Sequence, residues 1–380
     1  MIDRSKVREI LDGYDLDDLR IGMIASHSAL DTADGAVEEG FRTLAVCQEG
    51  REKPYVKYFR AQRSGGRITA GMIDEVLMLK RFSEIMEQDN QDFLKDKSTL
   101  FVPNRSFTSY CGIDAVEEQF LVPLVGSRNL LRSEERGDKK DYYWLLEKAG
   151  LPYPEPMEAE DIDQLVMVKL PHAVKTLERG FFTAASYDEY CQKADLLLRQ
   201  NVIDQDGLEL ARIERYVIGP VFNLDFFYSP ITERIELIGI DWRFETSLDG
   251  HCRLPAPQQL TLNERQINPE YTVCGHNSAT LRESLLEKAF ELAESYVAAT
   301  QEHYDPGIIG PFCLQTCVDK DLNFYIYDVA PRIGGGTNVH MAVGHPYGNA
   351  LWRTNMSTGR RLAREVKIAI ENDCLDKIVT

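Results

Sequence analysis

The chain has 380 residues, enough for two or three domains around a sizeable core. Its 43% hydrophobic and 27% charged residues are ordinary for a globular protein, and a formal net charge of −18 argues against a nucleic-acid binder, which needs a basic face. A small phosphorylated ligand stays open, because it needs only a local cluster of cations. No run approaches about 18 consecutive apolar residues, so no membrane span is expected. The charged, amphipathic start MIDRSKVREILDGYDLDDL is unlike a secretory signal. Eight scattered cysteines without a CxxC pair read as free thiols of a reducing cytoplasm rather than a zinc site.

After a first helix, RIGMIASHSAL reads as a strand (21–25) running into Ser26-His27-Ser28, then a helix to Glu39 and a second strand (43–47). This is a β-α-β unit of the doubly wound type, whose ligands sit beyond the carboxyl ends of strands and beside helix N-termini. Hydroxyls and an imidazole there suit a phosphate monoester; alternatively a serine merely caps the helix, and both can hold together. Residues 51–100 read as scaffold, with a basic stretch REKPYVKYFRAQR and a surface helix in FSEIMEQDNQDFLKDKS. A strand at 99–102 ends at Pro103, which sets Asn104-Arg105-Ser106 at another strand's carboxyl end. A helix from about Ile113 leads to a short strand in LVPLVGSR and a turn at Gly126.

The strand–helix alternation stops near residue 130. A helix bearing Leu145 and Leu146 ends at Gly150, and Pro152, Pro154 and Pro156 form an extended connector. Lys169 closes the apolar run 165–168, and a loop holding His172, Lys175, Arg179 and Gly180 leads into a strand at 181–185 and a helix. Segments 211–217, 221–228 and 234–241 read as an antiparallel meander interrupted at Gly219-Pro220 and Ser229-Pro230, with Glu214 and Tyr216 near the end of its first strand. A long helix (279–301) precedes the hairpin at 307–345. One strand of it ends at Gln315; the other carries Asp328, followed by Arg332, the glycines 334, 335 and 336, and Thr337-Asn338. Neighbouring strands bring Gln315 and Asp328 towards one point, an oxygen pair fit for a hard cation such as Mg²⁺, and an arginine beside it can neutralise phosphate charge. The plain alternative is an edge hairpin with a glycine-rich turn. The C-terminal GRRLAREVKIAIENDCLDKIV is an amphipathic helix that suits either core or interface. The order is a three-layer α/β domain followed by an α+β body on antiparallel sheets.

Taken together, SHSAL, SFTSYCGIDAVEEQFLVP, LLEKAGLPYP, VMVKLP, IERYVIGPVFNLDFFYSP, ELIGIDWRFETSLDG, PGIIGPFCLQ and RIGGGTN resemble the ATP-grasp fold. More narrowly they resemble the archaeal formate-dependent ligases that make formaminoimidazole carboxamide ribotide, the FAICAR synthetases or PurP family. The resemblance implies an N-terminal Rossmann-like ribotide-binding domain (1–130), an ATP-grasp small subdomain (131–215) and a large subdomain with the metal site (216–380). It implies an ATP-dependent carbon–nitrogen ligase of purine biosynthesis, cytoplasmic and homo-oligomeric, in which ATP phosphorylates formate and the amine of aminoimidazole carboxamide ribotide (AICAR) attacks the formyl phosphate. Gln315 and Asp328 would hold Mg²⁺ or Mn²⁺. Lys169, Arg179, Glu214, Tyr216 and Glu245 would meet ATP, and Arg332 would stabilise the acyl phosphate. His27, Ser28, Ser106, His276 and Asn277 would bind the ribotide. The chain departs from the family pattern in the loop PHAVKTLERGFF, which lacks most of the usual glycines, and at Asn104-Arg105, His276, Asp328 and Gly334. Two other readings stay open: an ATP-grasp paralogue joining another carboxylate to another amine, and a non-catalytic nucleotide- or ribotide-binding subunit.

Overall fold

The computed structural model describes residues 2–65, 67–171, 181–265 and 271–380. The N-terminal part holds a four-stranded sheet of order β5-β2-β1-β6, all parallel, from β1 (Arg20–Ile24), β2 (Arg42–Gln48), β5 (Glu75–Leu79) and β6 (Thr99–Val102). Between them β3 (Gln62–Ser64) and β4 (Arg67–Ala70) form a small hairpin. β1, β2 and β6 match the expected strands; β3 to β5 lie in the stretch read as scaffold, and β5 is a sheet edge. LVPLVGSR forms isolated bridges, Leu124 to Phe101 and Val125 to Val379, rather than a strand.

Alternate residues of the parallel sheet feed two cores, as buried parallel strands demand. Ile24, Leu44, Val46 and Phe101 pack with Phe82, Ile85, Leu94, Phe107 and Phe120 from the segments that follow. Ile21, Met23, Ala45, Cys47 and Val102 pack instead with the helix Ala29–Glu38 and the C-terminal helix Thr358–Glu371, through Leu362, Val366 and Ala369. The C-terminal helix is therefore core. The two helices touch backbone to backbone: a Cβ on Gly35 would lie 2.2 Å from the Arg360 nitrogen, and one on Gly359 would lie 2.1 Å from the Asp31 carbonyl oxygen. Glu39 seals their ends by accepting from Arg360 and Arg364.

A three-stranded antiparallel sheet follows, β8-β7-β9, from β7 (Val166–Lys169), β8 (Phe181–Ala184) and β9 (Arg212–Arg215). The expected meander is corrected here. β9 pairs with β7, and only β10 (Val221–Ser229) and β11 (Arg234–Glu245) continue together, in a five-stranded sheet of order β12-β11-β10-β13-β14. The cause is the Gly219-Pro220 break: a Cβ on Gly219 would sit 1.8 Å from the Val318 carbonyl oxygen, so the chain leaves one sheet and enters the other across a contact that only glycine allows. β12 (Val273–Ser278), β13 (Gly310–Val318) and β14 (Phe324–Ala330) complete the large sheet. β13 continues three residues beyond Gln315. The helix Leu286–His303 covers the apolar face with Leu292, Tyr296 and Val297 against Phe226, Phe312 and Ile326.

Candidate active site

The opposite face of the large sheet is polar, and register says why. Asn223 pairs with Asp241 and with Gln315, Gln315 with Asp328, Arg243 with His276, and Asp225 with Cys313. Side chains two apart on a strand share a face, so Asn223 and Asp225, Asp241, Arg243 and Glu245, Cys313 and Gln315, Asp328 and His276 all project to one side. That side faces the carboxyl ends of β1 and β6 across a cavity of about 520 Å³. Its lining includes His27, Arg105, Ser106, Glu245, His276, Gln315, Asp328 and Arg332.

Two asparagines assemble the strand-end wall. Asn104 caps the helix Arg105–Cys111 by accepting from the Phe107 N–H (3.1 Å), and its amide donates to the carbonyls of Ile24 (3.0 Å) and Ser26 (3.2 Å). Asn338, from beyond the glycine run, accepts from the Asp31 N–H (3.0 Å) and donates to the His27 carbonyl (2.8 Å), so it caps the helix Ala29–Glu38 from a distance. Ser28 holds the N-cap position without a side-chain cap bond; its hydroxyl meets His27 Nδ1 (3.1 Å) and is buried behind it. His27 itself is left-handed (φ 58°), an uncommon conformation for a residue with a Cβ, held by these contacts. Desolvation, then the charges of Arg332, Arg105, His276 and Arg243, push its imidazole well below the usual histidine range. His27 is thus a neutral ring inside a cationic cluster, where an anion is welcome.

Arg332 is buried and directed by Glu134 (2.6 Å), and Arg105 by Glu135 (2.9 Å). Across the cavity Arg243 donates to the Gln315 side-chain oxygen, Asp328 accepts from the Val329 N–H (3.1 Å), and Arg136 Nη2 stands 3.9 Å from Asp328. Among the described residues no trio of His, Cys, Asp or Glu is grouped for a metal. Two in-register oxygens on a cavity wall fit a small hard cation that keeps water and phosphate in its other positions, and do not fit zinc.

Lys169 and Glu214 come together elsewhere. They form a buried ion pair beside the cavity, not in its lining. Lys169 also donates to the Tyr143 hydroxyl (2.9 Å) and the Tyr327 carbonyl (3.1 Å), and the Tyr143 hydroxyl donates to Glu214 (2.7 Å). Burial lowers the Lys169 ammonium to about 8 against the pull of Glu214. The Tyr216 N–H bonds the Leu165 carbonyl (3.0 Å), and its hydroxyl meets that of Tyr271 on the cavity wall. Asn277, opposite Trp242, projects away from the cavity and is exposed, so His276 and Asn277 do not share the site. Arg179, with His172, Lys175 and Gly180, lies outside the described residues.

Arg136, Asn223, Asp225, Asp241 and Arg243 were not singled out from the sequence. The signal was present in IDWRFE and FNLDFF, where polar residues alternate with apolar ones at period two. Asp241 accepts from Asn223 Nδ2 (2.8 Å) and sits 2.6 Å from His276 Nδ1. Asp225 lies beneath it, and burial with the Asp241 charge pushes its carboxyl well above the usual range.

Known proteins align along the whole chain. Residues 189–380 match a family model described as a domain of unknown function (DUF1297), and residues 21–157 one described as a protein of unknown function (DUF1246). The 5-formaminoimidazole-4-carboxamide-1-(beta)-D-ribofuranosyl 5'-monophosphate synthetase of Methanopyrus kandleri is 38% identical over 383 residues, covering 100% of both chains. The enzyme of the same name from Methanocaldococcus jannaschii is 38% identical over 381 residues, again covering 100% of both. Among solved structures, an IMP biosynthesis protein PurP from Thermococcus kodakaraensis superposes with a TM-score of 0.69 at 29% identity, over 95% of this chain and 100% of that one. An N5-carboxyaminoimidazole synthetase from Staphylococcus aureus, 12% identical with a TM-score of 0.54 over 85% of this chain and 73% of that one, shares the fold. With full-length relatives at this identity and strand-end and sheet faces meeting over one cavity, the chain belongs to the formaminoimidazole carboxamide ribotide synthetase family of ATP-grasp ligases.

Proposed function

We propose that the protein uses ATP and formate to formylate the amine of AICAR, releasing ADP and phosphate. The observation that carries this reading is a single cavity in which the guanidiniums of Arg105 and Arg332 and the neutral ring of His27 share the lining with the Gln315–Asp328 oxygen pair. Its volume of about 520 Å³ lies in the range of small-molecule sites. Formate is a poor electrophile, so its oxygen first takes the γ-phosphoryl group of ATP and ADP leaves. The amine then attacks the formyl carbon and phosphate leaves.

The residues divide accordingly. His27, with Ser106 in the same cavity lining, receives the ribotide phosphate without adding charge of its own, while Arg105 and Arg332 neutralise it. Gln315 and Asp328 would hold Mg²⁺, which when bound offsets charge on the transferring phosphoryl group. Arg243, now on the Gln315 oxygen, and Arg136, beside Asp328, are cations next to that pair. Lys169 would meet the nucleotide phosphates, for which it must exchange one of its three present partners. Glu214, Tyr216, Glu245 and Arg179 would complete the nucleotide site.

The test is to incubate the protein with ATP, Mg²⁺, formate and AICAR and to look for the formylated ribotide by mass. Its appearance together with ADP supports the reading. ADP release that ignores formate points to another acid, and ribotide binding with no ADP from any acid points to a binding subunit.

A further inference from the structure

We infer that His276 is the general base of amine acylation and that Asp241 is its positioning residue. The inference rests on the function just proposed and adds a role to it. His276 lies on β12, opposite Arg243 of β11, with its ring in the cavity lining. Its Nδ1 is 2.6 Å from Asp241 Oδ1. An ionised carboxylate only accepts, so the proton belongs on Nδ1 and the lone pair on Nε2. Nε2 has no hydrogen-bond partner among the described residues, which leaves it available to the cavity.

Asp241 is itself fixed from two sides. Asn223 Nδ2 donates to it (2.8 Å), and the Gly336 backbone presses on it so closely that a Cβ there would lie 2.1 Å from Oδ1. Asp225 lies below, where burial and the Asp241 charge push its carboxyl well above the usual range. The arrangement is the orienting half of a carboxylate–histidine dyad, in which the acid selects the tautomer and balances the imidazolium.

In the step, the amine nitrogen attacks the formyl carbon and forms the C–N bond. The C–O bond to phosphate breaks, and phosphate leaves with the electron pair. The amine proton passes to His276 Nε2. Asp241 stays ionised beside the imidazolium, and the proton later returns to solvent. Besides Asp241, the charged and titratable groups lining the cavity with the ring are Arg243 and Glu245 of β11, Cys313 of β13, Asp328 of β14, His27 after β1, Arg105, Tyr110, Glu134, Arg136, Tyr271 and Arg332. The guanidiniums do not titrate in the working range, and His27 is pushed far below it. An acid limb present in wild type and absent from His276→Gln would therefore be assigned to that ring.

Wild type, His276→Gln and Asp241→Asn are compared in the formylation assay across pH, with hydroxylamine added in parallel to trap formyl phosphate as formohydroxamate. Thermal melts establish that each variant is folded. His276→Gln is expected to slow formylation by ~10²–10⁴-fold, to lose the acid limb of kcat/KM, and to lose far less of the trapped acyl phosphate. Asp241→Asn is expected to slow formylation tenfold or more. An acid limb that persists in folded His276→Gln overturns the inference. So does a raised KM for AICAR at unchanged kcat, which marks a mere anion contact. If wild type yields no formylated ribotide, the function itself fails and this role falls with it.

Discussion

An ammonium has three donors, and Lys169 commits all of them, to Glu214, Tyr143 and Tyr327. Nothing local announces this: VMVKLP reads as an apolar strand ending in a cation, and Tyr143 lies far upstream on the helix Tyr142–Lys148. The family resemblance therefore implies a phosphate-binding role for Lys169, and the exchange of partners that such a role would require is not visible in the sequence. Breaking such a buried pair by removing one partner typically costs about 3–5 kcal/mol, so substitutions at Lys169 mix folding with function. Asp328 is a cleaner probe, half-buried on the cavity wall in register with Gln315. Asp328→Asn keeps the shape and removes the charge, and is expected to raise the Mg²⁺ concentration for half-maximal ADP release about tenfold or more. A Mg²⁺ titration superimposable on wild type would remove Asp328 from the metal site.

At the scale of elements, the glycine run acquires a physical reason that composition alone does not supply. A Cβ on Gly334 would lie 2.8 Å from Asp225 Oδ1, one on Gly335 2.8 Å from His27 Nε2, and one on Gly336 2.1 Å from Asp241 Oδ1. Three successive residues thus lie flat on three polar side chains, two from the large sheet and one from the end of β1. Gly336→Ala is expected to cost about 1–3 kcal/mol by overpacking and to slow formylation along with it. Gly250→Ala, in the helix Leu248–Cys252 with open space where its Cβ would go, is expected to be neutral or slightly stabilising. Equal melting temperatures for the two variants would refute the close-packing account. The hairpin was legible because its apolar alternation and turn are local, and Gln315 does face Asp328. The choice between His276 and Asn277 was not, since adjacent residues on a strand face opposite ways and the segment YTVCGHNS offers no strong strand pattern. β9 was misassigned for a related reason: its own residues specify a strand, and only contacts across the fold specify which sheet it joins.

At the scale of the molecule, the first and last thirds are one body. Asp31, on the helix Ala29–Glu38, is fully buried and accepts from the Gly359 N–H (2.9 Å) of the C-terminal helix. Burial raises its carboxyl from 3.8 to about 6. A folded value above the unfolded one means that the stability tied to the protonated form is fully present below about 3.8 and is lost as pH rises through about 6. Asp31→Asn should remove this dependence. The melting temperature of the variant relative to wild type is expected to climb between pH 4.5 and 7.5, by an equivalent of at most about 3 kcal/mol. A constant offset across that range would show that Asp31 carries no such linkage.

The two faces of the parallel sheet also set an order of assembly. One face is covered by residues up to Leu131, so it can close while most of the chain is still being made. The other needs Leu362, Val366 and Ala369, which emerge from the ribosome long after Leu131. Through most of synthesis Ile21, Met23, Ala45 and Cys47 have over them the earlier members of the cluster, such as Val7, Leu11, the helix Ala29–Glu38, Tyr55 and Ile73, with contacts spanning more than three hundred positions still to be made. Such contacts close late and leave apolar surface open to wrong partners in the interval. The strand-end wall that carries His27 shares that delay, because Asn338 clamps it from the same late stretch of chain.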